Sequence, residues 1–190
     1  MHEKMYSVVV LLVLFTEVNS IVNPLWEKQC IEYFATGVNY DLKELPSDMY
    51  TLYYWPPNQR ERDSCEHISF TNLTEYEATE ASSKCSNLRL PSNQTVIKGT
   101  YINNVGKQVN LLFYGNEEVK EMYRACDKII SKYIFIKVNV NYVLGINCSS
   151  GGRGMLLSRY LAGSTEVQSV ADTIEIMTGR EGKPDCPLSA

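Results

Sequence analysis

Six cysteines are the residues of this chain with the most definite chemistry: Cys30, Cys65, Cys85, Cys126, Cys148 and Cys186. They contain no Cys-x-x-Cys pair, and His67 is the only histidine apart from His2, so a zinc site has little support. An even number of widely spaced cysteines is typical of a chain that folds in an oxidising compartment. The sequence therefore predicts three disulfide bonds and no metal, although the spacing does not determine which cysteines pair.

Catalytic patterns are missing from the sequence. There is no recognisable serine, histidine and aspartate set, and no cysteine remains as a nucleophile if all six form disulfides. The glycine-rich run at residues 151–154 is interpreted as a flexible hairpin loop and not as a phosphate cradle. The formal net charge is −4 and no basic cluster is present, which argues against a nucleic-acid partner. We therefore expect neither an enzyme nor a bound cofactor.

The first residues have the pattern of a secretory signal peptide. Lys4 precedes an unbroken apolar run at residues 8–15, and Val18 and Ser20 occupy the small-residue positions before a cleavage site. The run is shorter than the roughly 20 residues that a membrane span needs. We therefore expect a signal peptide at residues 1–20, a secreted domain at residues 21–190 and no membrane span.

Three sequons mark asparagines that are candidates for N-glycosylation in a secreted chain: Asn72, Asn93 and Asn147. The third is the weakest candidate, because a disulfide forming at Cys148 would compete with glycosylation of its neighbour.

Short runs of β-branched and aromatic residues, separated by turn signals, are the main feature of the rest of the chain. They predict eight strands, at residues 41–45, 65–71, 75–82, 94–103, 108–114, 132–140, 142–148 and 154–160. Residues 103–106 have the composition of a hairpin turn. This pattern indicates an antiparallel sandwich or barrel.

Two stretches have helical spacing instead. Residues 165–178 place apolar side chains on one face, and we expect a helix at about residues 164–178, capped by Ser164 or Thr165 and ended by Gly179. Residues 116–130 also have helical spacing, but a strand remains an alternative there.

The order of these features resembles the lipocalin family, and the resemblance is closest to its secreted arthropod members. Residues 33–40 are similar to the first family motif, with Asn39 in place of its tryptophan. Residues 142–148 run from an aromatic residue to a cysteine, like the seventh strand, although residues 137–139 replace the Thr-Asp-Tyr triplet expected before it. Residues 156–159 match the eighth-strand motif that ends in arginine. The resemblance implies an all-β fold, an eight-stranded antiparallel up-and-down β-barrel with a C-terminal α-helix packed on its outside.

The resemblance also assigns structural roles. It implies disulfides Cys30–Cys148 and Cys65–Cys186, which leaves Cys85 to pair with Cys126. Three residues would take part in closing the barrel: Gly37, Tyr40 and Arg159. Since the family tryptophan is absent, Tyr40 or Trp26 is expected to fill its place against the arginine.

A barrel of this kind encloses a cup for one small, mostly apolar molecule. Strand alternation predicts the inward side chains, and a slip of one residue would exchange the two faces. These are Val109, Leu111, Phe113, Tyr142, Leu144, Ile146, Met155 and Leu157. The aromatic segment at residues 50–55, with Tyr50, Tyr53 and Trp55, is expected in the loop that partly covers the cup, with a packed loop or a strand as the alternative.

These assignments predict a secreted, monomeric carrier of a small hydrophobic ligand such as a pigment, a retinoid-like compound, a fatty acid or a sterol. Haem has little support, because only His67 offers a ligand and it lies near the predicted barrel rim. The acidic residues Glu75, Glu77 and Glu80 are interpreted as a solvated strand face and not as an amine site. The alternative is a secreted protein that binds an extracellular protease or receptor through its surface. A carrier needs an open interior, whereas a surface-acting protein tolerates a filled one.

Overall fold

The computed structural model describes residues 42–59, 62–84, 95–103, 105–114, 120–124 and 130–189. The described residues form one antiparallel sheet. Its strands are β1 (Asp48–Trp55), β2 (Glu66–Asn72), β3 (Val96–Ile102), β4 (Gln108–Tyr114), β5 (Lys120–Arg124), β6 (Ile130–Lys137), β7 (Tyr142–Asn147), β8 (Arg153–Ser158) and the two-residue β9 (Lys183–Pro184).

The sheet closes on itself. Strands β2 to β8 pair in chain order, β8 pairs with β1, and β1 pairs back with β2. The result is an eight-stranded up-and-down barrel, with β9 added beside β1. Full closure leaves no open edge among β1–β8, so the backbone hydrogen-bonding groups of each strand meet partners on both sides. The fold class predicted from the sequence is therefore confirmed.

The two ends of the barrel are defined by the connections between strands. Residues 56–59, 62–65, 103, 105–107 and 148–152 lie at what we call the upper end, and residues 138–141 and 159–163 lie at the lower end. The predicted hairpin turn after β3 is confirmed. Its Asn103 Oδ1 accepts hydrogen bonds from the backbone N–H groups of Val105 and Lys107, at 3.1 and 2.9 Å. Gly106 supplies the positive φ of 72° that the turn needs.

Two helices cover the outside of the barrel. Helix α1 (Glu75–Ser83) packs Ala78 and Ala81 near Val96, Leu112 and Tyr114 of the wall. Helix α2 (Ser164–Asp172) buries Val167 and Ala171 against the outer faces of β1, β6, β7 and β8, and a short 3-10 helix, Glu175–Met177, continues that cover. None of the described helices is long and apolar enough to cross a membrane.

Several sequence-based expectations for these elements were wrong. Residues 75–82, predicted as a strand with a solvated acidic face, form α1, because Thr74 and Glu77 make a capping box that starts a helix. Residues 120–124 form strand β5, the alternative left open for a stretch whose spacing favoured a helix. Residues 41–45, predicted as a strand, contain the 3-10 helix Leu42–Glu44.

Helix α2 is also shorter than predicted. It ends at Asp172, its N-cap residue is Gly163, and no side chain caps it, so the expected capping by Ser164 or Thr165 was wrong.

The Cys65–Cys186 disulfide predicted from the resemblance is confirmed. Cys148 is also disulfide-bonded, and its partner lies outside the described residues. None of the described cysteines is a free thiol. The pairs Cys30–Cys148 and Cys85–Cys126 therefore stay predictions, because Cys30, Cys85 and Cys126 lie outside the described residues.

Candidate ligand cup

The interior of the barrel has a filled lower part, which we call the base cluster. Its buried side chains come from seven strands and the segment before β1: Leu45, Met49, Ile68, Phe70, Ile97, Phe113, Phe135, Val143 and Leu157. The Phe113 ring lies 5.3 Å from the Phe135 ring and 6.3 Å from the Phe70 ring, between ring centres. Aromatic rings at these separations pack edge to face or tilted, as they do in protein cores.

Two glycines make room for this packing. A Cβ atom on Gly99 would lie 3.2 Å from Phe113 and 3.3 Å from Phe70, and one on Gly145 would lie 2.7 Å from the Met155 methyl group. An alanine at either position would therefore require these side chains to shift. The lower interior is consequently closed to a ligand.

Above the base cluster lies what we call the upper wall, formed by Tyr101, Leu111, Tyr133 and Met155. These side chains also face the interior, but they are only partly buried. Partial exposure of apolar side chains on an inward face indicates space beside them. The upper half of the barrel is therefore the candidate cup, with Phe113 and Phe135 as its floor.

Polar side chains surround the upper end, in a set that we call the polar rim: Tyr54, Asn58, Arg62, Glu66, Asn147, Arg153 and Asp185. Arg62 contacts Glu66 at 2.6 Å and Asp185 at 3.2 Å, and Asn58 bonds both Asp185 and Arg153. The Arg153 guanidinium lies 5.1 Å from the centre of the Tyr54 ring.

Burial sets the acid–base behaviour of this rim. It raises the pKa of Glu66 and of Asp185; the hydrogen bond from Arg62 to Glu66 and the one from Asn58 to Asp185 only partly offset it. Burial raises the pKa of Tyr54 as well, and the nearby Glu66 carboxylate adds to that shift. The rim is therefore a desolvated charge network with two arginines and two carboxylates.

The side chains predicted to line the cup are divided between the two faces of the wall. The structure places five of them on the interior face: Val109, Leu111, Phe113, Met155 and Leu157. Phe113 and Leu157 belong to the base cluster, and Leu111 and Met155 to the upper wall. Whether a ligand touches any of them stays a prediction.

Strand β7 has the opposite phase from the predicted one. Tyr142, Leu144 and Ile146 lie on the outer face, buried in the cluster beneath α2, while Val143 faces the interior. The Tyr142 hydroxyl donates a 2.8 Å hydrogen bond to Glu166 of α2. The assignment of these three side chains to the cup was therefore wrong.

The aromatic segment at residues 50–55 is not a lid. It forms strand β1, and Tyr50, Tyr53 and Trp55 pack on the outer face beside the C-terminal residues. The prediction of a lid was wrong. A strand that is covered on both faces carries large apolar side chains on each face, so its sequence lacks the alternation that would have identified it as a strand. Tyr54, which was not assigned to the cup, is the aromatic residue of this segment on the interior side, opposite Met155.

Arg159 lies at the lower end but is exposed, and its backbone N–H donates to the Asn141 carbonyl at 3.0 Å. The expected role of Arg159 in closing the barrel stays a prediction. Its proposed neighbours Gly37, Tyr40 and Trp26 lie outside the described residues.

A concavity of about 580 Å³ lies at the upper ends of β2 and β3. Its lining combines the outer-face residues His67, Ser69, Thr100 and Ile102 with Arg62 and Glu66 of the polar rim and Tyr101 of the upper wall. His67 is on this outer face, 3.3 Å from Asp48, and so does not point into the cup. Among the described residues no cluster of histidine, cysteine or acidic side chains is arranged to hold a metal.

The closed order of β1–β8, with α2 packed outside, is the architecture of up-and-down barrels such as the lipocalins. The fold is an eight-stranded up-and-down barrel of the type that lipocalins have. No protein-family model matches the sequence, and no curated protein matches it.

Among solved structures, lobster apocrustacyanin A1 is 14% identical, with a TM-score of 0.47, over 89% of this chain and 87% of that one. Apocrustacyanin C2 is 14% identical, with a TM-score of 0.45, over 87% of this chain and 85% of that one.

Proposed function

We propose that this protein is a secreted, non-enzymatic binding protein that carries a small, mostly apolar molecule in the upper half of its barrel. The observation that carries the proposal is the partial exposure of the upper wall, four apolar side chains on an inward face. A concave apolar surface with a few polar groups at its mouth is the usual form of a small-molecule site. The Cys65–Cys186 disulfide fits an oxidising, extracellular location.

The filled base limits the size of the ligand. With Phe113 and Phe135 as its floor, the cup has about half the depth of the barrel, so a compact molecule fits better than a long chain. A small pigment fragment or a short terpenoid is therefore a better candidate than a full-length fatty acid.

The test uses two neighbouring residues with opposite orientations. Leu111 faces the cup and Asn110 faces outward on the same strand, so Leu111→Trp fills the cup while Asn110→Trp adds the same ring outside. Ligand binding is measured by displacement of a fluorescent apolar probe and by native mass spectrometry of the secreted protein. We expect Leu111→Trp to weaken binding at least about ten-fold, as the loss of more than 1.4 kcal/mol would. Asn110→Trp should leave binding within about two-fold of the wild type.

Equal binding by the two variants, or failure of the wild type to bind any apolar probe, would contradict the proposal. Near-ultraviolet circular dichroism of each variant checks that the barrel is folded.

The alternative is a secreted protein that acts through its surface, and the filled base cluster favours it. In that case the 580 Å³ concavity on β2 and β3 is the natural contact site for an extracellular protein. A wild-type protein that binds no small molecule but loses its partner when Ile102, 58% exposed, is changed to Asp would support this alternative.

A further inference from the structure

Tyr133, Asn147 and Arg153 form a row of polar side chains on three neighbouring strands, along the interior wall at the upper end of the cup. Tyr133 lies opposite Asn147 in the pairing of β6 with β7, and Asn147 lies opposite Arg153 in the pairing of β7 with β8. Residues opposite each other on neighbouring strands project to the same face. Since Tyr133 packs in the barrel interior, Asn147 and Arg153 face the interior as well.

The amide of Asn147 is only half satisfied. Its Nδ2 donates a 3.1 Å hydrogen bond to the Tyr133 hydroxyl, while its Oδ1 is buried and has no hydrogen-bond partner. The hydroxyl of Thr51, fully buried on the inward side of β1, also has no partner. Buried polar atoms without partners are rare in folded proteins, because each forfeits the hydrogen bonds that water would have supplied.

The charges near this row already balance one another. Arg62 pairs with both Glu66 and Asp185, and Arg153 stacks on Tyr54 and bonds Asn58, which in turn bonds Asp185. A ligand carboxylate would meet two buried carboxylates here. The open position is thus an uncharged acceptor, Asn147 Oδ1, beside apolar side chains.

We propose that the cup selects a neutral apolar molecule that bears a hydroxyl group, and that this hydroxyl donates a hydrogen bond to Asn147 Oδ1. Asn147 is then the specificity-determining residue, and Tyr133 is the positioning residue that orients its amide. The inference rests on the proposed function, because it assigns the polar end of the ligand whose apolar body occupies the upper wall.

Three probes with one carbon skeleton test this selectivity. Geraniol has a hydroxyl donor, geranyl methyl ether keeps the oxygen without the donor, and geranic acid carries a negative charge at neutral pH. Isothermal titration of the full secreted protein at neutral pH measures the three affinities. We expect geraniol to bind at least about five-fold more tightly than the ether, the range of one net hydrogen bond, and more tightly still than the acid.

Two variants assign the selectivity to the row. Asn147→Leu should reduce the ratio of geraniol to ether affinity to near one while ether binding is retained. Tyr133→Phe should reduce the ratio partly, since the amide loses its orienting partner. The matched control is Asn110→Leu, the same change on the outer face of β4, which should keep the wild-type ratio.

The results separate this inference from the proposed function. If all three probes bind equally, or the acid binds most tightly, the selectivity is wrong and the apolar cup stands. If none of the three binds to the folded wild type, both are overturned. If Asn147→Leu keeps the full ratio, the residue assignment is wrong.

Discussion

Asn72 and Asn147 carry the same sequon chemistry in opposite environments. Asn72 is exposed at the end of β2, and Thr74 of its sequon caps α1. Asn147 faces the barrel interior, next to the disulfide-bonded Cys148, and Ser149 of its sequon accepts a hydrogen bond from the Lys132 backbone N–H at 2.8 Å. A glycan is large and hydrophilic, so it fits the first position and not the second.

We therefore expect glycosylation at Asn72 and none at Asn147 when the chain is secreted from a eukaryotic cell. The measurement is the mass of the secreted protein before and after glycosidase treatment, with peptide mapping. Asn72→Gln should remove one glycan, while Asn147→Gln should leave the carbohydrate mass unchanged. Thr74→Ser, which keeps both the sequon and the cap, is the control, and a glycan mapped to Asn147 would refute the inward placement.

At the residue scale, the sequence predicted faces correctly only where one face of a strand differs from the other. On β4, Asn110 separates Val109 from Leu111, and the predicted inward face agrees with the structure. On β7, residues 142–146 are all buried, because α2 covers the outer face as fully as the barrel covers the inner one. When every residue is apolar, alternation does not show which residues face the interior. The predicted inward face of β7 was therefore off by one residue.

The C-terminal segment at residues 182–186, which we call the strap, runs along β1. The first half of β1 pairs with β2, and the later residues Tyr53 and Tyr54 pair with β9 instead. The Asp185 backbone N–H bonds the Leu52 carbonyl at 2.9 Å, and Cys186 is tied to Cys65. Gly182, just before β9, lies directly against the Tyr53 and Trp55 rings.

We predict that Gly182→Ala destabilises the protein by about 1–3 kcal/mol, the usual range for overpacking a filled site. The added methyl group would lie 2.7 Å from the Trp55 indole nitrogen, so a ring or the strap must move. Urea unfolding gives the free energy, and hydrogen exchange at the Leu52–Trp55 amides shows whether the strap loosens. Glu181→Ala, a change at an exposed neighbour, should have little effect. An unchanged Gly182→Ala would contradict this packing.

At the element scale, the order of most strands could be predicted, because β2, β3, β4, β6, β7 and β8 are runs of β-forming residues between turn signals. The Thr74–Glu77 capping box is a sequence signal that predicts the start of α1, although the strand prediction for residues 75–82 overlooked it. The aromatic run of β1 had no comparable signal for a strand. It is bounded by prolines, and it is apolar on both faces because α2 and the strap cover its outer face, so it lacks the alternation that marks a strand.

For the molecule as a whole, the polar rim links stability to pH. Glu66 and Asp185 have raised pKa values in the folded state because burial penalises their charges. Their contribution is fully present below the ordinary carboxylate pKa of about 4 and is lost as pH rises through the raised values. Asp48 and Glu166, whose pKa values are lowered by hydrogen bonds, act in the opposite sense, but only at lower pH.

We therefore expect the free energy of unfolding to decrease as the pH rises from about 4, the ordinary carboxylate value, through the raised pKa values of Glu66 and Asp185. Urea denaturation across this range measures it, and Glu66→Gln, which cannot ionise, should flatten the decrease. Glu175→Gln, at an exposed position, is the control and should keep the wild-type slope. A Glu66→Gln protein with the wild-type slope would show that the rim carboxylates do not cause it.

The pairing of β1 with the late strands β8 and β9 determines when the barrel can close as the chain is made. The first described strand of the barrel meets its partners β8 and β9 only after residues 153–184 have been made, so the ring cannot close before that point. Until then β1 offers an unsatisfied edge to its surroundings. Contacts between residues so far apart in sequence are slow to form, so we expect closure of the ring to be a late step in folding.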